Sequence, residues 1–184
     1  MAIITGTNTF LQRVVGAAAL DAAIYEEVEA DRSATIQAAA MVLVSSAAAG
    51  VGAIGFGGGH ALANVVFATT VALLAWAAWA LVIFEIGVRI MPQPQTRSSV
   101  GELVRTIGFA TAPGCLRILG VLPGVTTPVF AVTAVWMLAA MVVAVRQALE
   151  YESTARAVAV CGLGWVLATA IAIVLGLAFG PTLS

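Results

Sequence analysis

The chain has 184 residues, of which 61% are apolar and 9% charged, with eight arginines, no lysine and a formal net charge of −1. Soluble domains carry roughly 45–50% apolar and about 25% charged residues, and a mean hydropathy of +1.06 is more than a chain this short can hide from water. The composition therefore points to a bilayer as solvent. It excludes a nucleic-acid partner, which requires a basic surface to neutralise phosphates, and the length suits one domain.

In chain order, the first thirty-two residues stand apart. Phe10, Leu11, Val14, Val15 and Ala18 share one helical face, with Gln12 and Arg13 off it. Asp21 is placed to cap a second short helix that sets Ile24, Tyr25 and Val28 against Glu26, Glu27 and Glu29. Two interfacial helices lying on the membrane are expected here. No signal peptide is expected, because the apolar run after Arg13 is broken at Asp21.

Residues 33–184 read as five membrane spans, since a hydrocarbon core of about 30 Å needs roughly 20 apolar residues in helix. The first span, 35–56, is uncharged and ends in a glycine cluster from Gly55 to Gly59. The second, 61–91, stops before Pro92 and Pro94. The third, 100–120, opens on a Ser99–Glu102 capping box, but Arg105, Pro113, Gly114 and Arg117 interrupt it. The fourth, 128–148, is expected to begin with Thr127 as N-cap and Pro128 at the first helical position. The fifth, 154–179, ends at Gly180-Pro181. The expected fold class is thus an all-α polytopic bundle of five transmembrane helices with an N-terminal interfacial amphipathic segment.

Arginine placement orients the bundle. Arg13 and Arg32 precede the first span, Arg89, Arg97 and Arg105 surround the second loop, and Arg146 and Arg156 flank the fourth. Only Arg117 and His60 fall on the other side. Positive charge concentrates inside, which predicts a cytoplasmic N-terminus and an external C-terminus. A composition of arginine, alanine, glycine and valine without lysine suggests GC-rich coding, hence a bacterial cytoplasmic membrane.

Ionisable residues within spans are the default flag for function, so their depth matters. Glu85 and Arg89, spaced i, i+4, fall at the cytoplasmic headgroups and are expected to pair on one face. Arg105 lies one turn inside the Glu102 capping box, within reach of the same side, and Arg117 sits at the outer interface. Glu85, Arg89, Glu102, Arg105 and Arg117 are the candidate structural or interaction residues. One expected contact is a Glu85–Arg105 bridge between the second and third spans. The midplane holds almost no ionisable group, which argues against a proton-coupled transporter.

No reaction centre is legible. A single histidine, no HExxH and no GxSxG leave nothing for metal or nucleophilic catalysis, and no cofactor is implied. Cys115 and Cys161 read as small apolar groups. Gly50, Gly52, Gly162 and Gly164 read as packing glycines, as do Ser45, Ala49 and Ala53 at i, i+4 spacing.

Three stretches carry a likeness to a known family: YEEVEADRSATIQA from Tyr25 to Ala38, GELVRTIGFATAPG from Gly101 to Gly114, and VWMLAAMVVAVRQALEY from Val135 to Tyr151. In these stretches, their order and the span count, the chain resembles the Yip-domain family of Rab-GTPase-interacting membrane proteins, especially its small prokaryotic members. The resemblance implies a five-span fold and a membrane-embedded scaffold or adaptor. Eukaryotic relatives associate with prenylated Rab-type GTPases and with one another, and many carry a long cytoplasmic N-terminal region that this chain lacks. A bacterial source has no Rab partners, so what the family implies here is a kind of function, association with itself or another membrane protein. Two alternatives compete with it. One is a small transporter using Glu85, Arg105 and Arg117, and the other is an enzyme acting on lipid at a headgroup level.

Overall fold

The computed structural model describes residues 8–56, 61–94, 96 and 98–179. His60, Arg97, Gly57 to Gly59 and the Gly180-Pro181 stop lie outside the described residues. Seven α-helices and no strand are found among them.

Helix α1, Phe10–Ala18, starts on a Thr9–Gln12 capping box, and α2, Ala22–Ala30, is capped by Asp21, whose carboxylate accepts from the Ala23 amide at 3.0 Å. The two form a hairpin. Leu20 closes it in the left-handed region, φ 63°, a conformation that costs a residue with a Cβ roughly 1–2 kcal/mol. Gly16 sits so close to Ile24 that a methyl group would collide with it.

Helix α3, Ala34–Gly52, continues as a 3₁₀ turn to Phe56. Helix α4, Ala61–Phe84, ends in a π-helical stretch, Glu85–Ile90. The run expected as a third helix over 100–120 divides. Helix α5 covers Val100–Phe109, and a 3₁₀ segment covers Ala112–Val121. The reason is Pro113, which has no amide to donate and disfavours helical geometry at Ala112. Helix α6, Thr126–Ala148, and α7, Thr154–Phe179, complete the chain.

The expected start of α6 needs correction. Thr127 does not cap it, and the helix already includes Thr126, whose buried hydroxyl donates to the Gly120 carbonyl at 2.7 Å. The helix therefore opens one residue ahead of Thr127, anchored by Thr126 on the preceding 3₁₀ segment, with Val125 at the cap position and Pro128 third in the helix rather than first.

The α5–3₁₀ run lies at the centre. Helix α5 packs against α2, α3, α4 and α6, while the 3₁₀ segment lies between α3 and α6. Small residues permit this. A Cβ on Gly108 would stand 2.7 Å from that of Ala38, Gly114 faces Ser45, and Gly52 faces the Arg117 carbonyl. The core has two parts. One joins the hairpin to α3, α5 and α6 through Ala17, Tyr25, Met41, Phe109 and Ala140. The other joins α4 to α7 through Ile83, Leu103, Val145 and Val160.

Among the described residues, two helices are long and apolar enough to cross a membrane by length and composition, Ala34–Gly55 and Thr126–Ala148. Only 33% and 22% of their most apolar stretches are buried. Val132 and Val135 on α6 point outward at 62% and 71% exposure.

Candidate functional site

Polar side chains gather at one end of the bundle, where α2, the π stretch, the start of α5 and the end of α6 meet. The Tyr151 hydroxyl lies 3.0 Å from the Gly87 carbonyl and 2.9 Å from that of Met91. A π stretch offsets the helical ladder and leaves carbonyls for such partners. Arg156 donates to the Pro92 carbonyl at 3.1 Å and lies over the Tyr151 ring. Thr96 donates to the Leu149 carbonyl at 3.1 Å. These bonds tie α4 to the α6–α7 connection.

The hairpin is fastened to the same end. Buried Arg105 donates through Nε to the carbonyls of Val28, 3.0 Å, and Glu29, 3.1 Å, and through Nη2 to Glu29 again. A guanidinium at the C-terminus of α2 satisfies orphan carbonyls and complements the helix dipole. The expected Glu85–Arg105 bridge does not form, because Arg105 is turned inward on α2. Glu85 instead pairs with Arg89 at 3.1 Å, as the i, i+4 spacing predicts, on an exposed surface. Glu102 makes its capping box with Ser99, accepting from the Ser99 amide at 2.7 Å. Arg117 stands apart from these, its Nε 3.2 Å from the Thr133 hydroxyl and its guanidinium over the Phe130 ring. Glu85, Arg105 and Arg117 therefore occupy three separate places.

Sequence reasoning missed Arg13. The sequence places it off the apolar face of α1 and among the orienting arginines, yet it is 1% exposed. It reaches Glu27 at 2.9 Å, Asp31 at 2.7 Å and Gln37 at 3.0 Å. The outward face of α1 carries Leu11 and Val15 at 69% and 62% exposure. The available signal was the acidic run Glu26 to Asp31, which supplies more carboxylates than one short helix needs on a solvated face. The Ser33 hydroxyl and Arg13 hold the Asp31 carboxyl down at about 2. Burial pushes the Tyr25 hydroxyl up, and that hydroxyl donates to the Ala17 carbonyl at 3.1 Å.

Between the hairpin and the bundle lies a cleft of about 480 Å³. Glu26, Glu29 and Ala30 form one wall, and Glu102, Arg146, Gln147 and the run Glu150 to Glu152 form the other. Its arginine is spent on the backbone, since Arg146 donates to the carbonyls of Tyr151 at 3.2 Å and Glu152 at 3.4 Å. Gln147 bridges the walls by donating to Glu26 at 2.8 Å. Burial, and then the neighbouring Glu102 and Glu150, push the Glu29 carboxyl up to about 7. Glu150 is held in the left-handed region, φ 52°, by the turn that ends α6. The cleft offers carboxylate acceptors, and no group of three or more His, Cys, Asp or Glu placed to hold a metal occurs among the described residues.

Comparison of the chain with protein families, with curated proteins and with solved structures finds no match.

Proposed function

We propose that the chain is a multi-pass helical membrane protein of five spans that acts as a membrane-embedded scaffold or adaptor, by association with a second copy or another membrane protein. The observation that carries this reading is the inverted exposure of α6, whose most apolar stretch is 22% buried. The core helix of a soluble protein would turn that stretch inward. Helix length supports the span count. Helices α4 and α7, at 24 and 26 residues, exceed the roughly 20 residues that a bilayer requires. The ten residues of α5 at about 1.5 Å each and the ten of the 3₁₀ segment at about 2.0 Å each reach roughly 35 Å. That exceeds a hydrocarbon core of about 30 Å.

The orientation places the hairpin and the acidic cleft at the cytoplasmic face, with Arg117 toward the exterior, by the arginine bias. The Yip-domain resemblance implies the same kind of role. The separation of Glu85, Arg105 and Arg117 supports association over transport, since a pathway needs polar groups along one route.

Photo-crosslinking from Val135 or Val166, both exposed, in native membranes tests the reading. A discrete protein adduct, homomeric or heteromeric, is expected. Adducts to lipid alone from both positions and from Leu138 would overturn it.

A further inference from the structure

The hairpin meets the bundle through an apolar contact that buries Ala17, Tyr25 and Val28, through an Arg13–Gln37 hydrogen bond to α3, and along a polar edge beside them. Arg105 grips the end of α2, Gln147 reaches Glu26, and the Trp136 indole donates to the Ala18 carbonyl at 2.7 Å. Across the same seam, carboxylates face one another. Glu26 and Glu29 stand on the hairpin, and Glu102, Glu150 and Glu152 stand on the bundle side of one cleft. Among the described residues none of these five carboxylates is in an ion pair. The two nearby arginines spend their donors on backbone carbonyls, Arg105 from α5 and Arg146 from α6. Like charges on opposite walls repel, and the repulsion falls mainly on half-buried Glu29, where water screens it less than at exposed Glu26, Glu150 and Glu152.

We propose that the α1–α2 hairpin is a pH-sensitive latch: ionised carboxylates on the two walls push it off the bundle, and protonation of Glu29 lets it close. The latch acts at the charged end and is independent of how the bundle meets lipid. Glu29 is the group on which the walls converge, with Glu26 beside it on α2, Glu102 and Arg105 facing it from α5, and Glu150 facing it from the end of α6.

The sign follows from linkage. In the docked position burial and the facing carboxylates raise the Glu29 carboxyl from its ordinary 4.5 to about 7; with release returning it toward the ordinary value, the docked state binds the proton more tightly. Docking is strongest when both states are protonated. It weakens as pH climbs from the ordinary carboxylate range and reaches its weakest once pH exceeds about 7. Local opening of a short terminal hairpin needs far less free energy than global unfolding.

The test is a spin-label distance measurement on the full chain in nanodiscs, with cysteines at Ala19 and Val158, and Cys115 and Cys161 replaced by alanine. Ionic strength is fixed and a chelator is present. The expected result is one short-distance population at about pH 5, with a longer population that grows toward about pH 8. Glu29→Gln should keep the short population at both extremes. Glu150→Gln, on the opposite wall, should reduce the long population at high pH. Distances that do not change with pH in the parent protein would overturn the latch. So would a Glu29→Gln protein that opens as the parent does, or one that is open throughout.

Discussion

Arg13 shows how one residue organises the N-terminal hairpin. Its planar guanidinium reaches two carboxylates and the Gln37 carboxamide oxygen, a three-way grip that a lysine ammonium on a flexible stem cannot copy. Arg13→Met leaves Glu27 and Asp31 facing each other. Removing one partner of a fully enclosed pair costs about 3–5 kcal/mol. Glu27 and Asp31 keep 24% and 27% of their side chains exposed, so roughly 2 kcal/mol is expected, read as a lowered denaturation midpoint and faster proteolysis within residues 8–31. Arg13→Lys should recover about half of that loss. Acid acts on this cluster in the opposite sense to its action on Glu29. The Asp31 carboxyl sits at about 2 when folded, so its contribution is present above its ordinary value and fades as pH falls through 2. Protection of the hairpin against protease should therefore rise from about pH 8 to about pH 5 and collapse only near pH 2, whereas uniform protection across that range would contradict both assignments.

Glycine contacts decide the elements. Gly52 meets the Arg117 carbonyl where a Cβ would stand, while Gly162 has open space around it. Gly52→Ala should destabilise by about 1–3 kcal/mol, the usual range for overpacking, and Gly162→Ala, inside α7 with open space around it, should stabilise by roughly 0.5–1 kcal/mol, both read by thermal unfolding in detergent. Equal effects would mean that the α3–3₁₀ contact is not tight. At this scale much was legible. Asp21, Ser99 and Glu102 cap where the sequence places them, because caps depend on local spacing alone. The Glu85–Arg89 pair also forms, although within a π stretch that no local signal announces. The sequence places Pro113 and Gly114 as an interruption of the third run, but period and hydropathy do not announce that the interruption is a change from α-helix to a 3₁₀ segment. Thr126, which opens α6 ahead of the expected Thr127 cap, and Arg105, expected beside Glu85, share one feature. Each bonds to a segment distant in space or outside its own helix, the Gly120 carbonyl and the end of α2, and sequence spacing carries no information about such partners. Arg13 was missed because amphipathicity assumes water outside, and the exposed face of α1 holds Leu11 and Val15.

Among the described residues, large apolar side chains lie on the outside of α6 at Val132, Val135 and Leu138 as well as in the core. Alanine, glycine and threonine fill the contacts between helices, and valine and leucine cover the outside of α6. Composition predicted a bilayer as solvent, and the reading of a five-span scaffold rests on whether that outer surface lies within the hydrocarbon layer. The most direct measurement is spin-label accessibility along α6, with single labels at Val132, Val135 and Leu138 in reconstituted bilayers and a control at Glu152 in the charged connection. The account predicts collision with dissolved oxygen greater than with a water-soluble nickel chelate at all three α6 positions, and the reverse at Glu152. Nickel collision at Val132, Val135 and Leu138 as frequent as at Glu152 would contradict it.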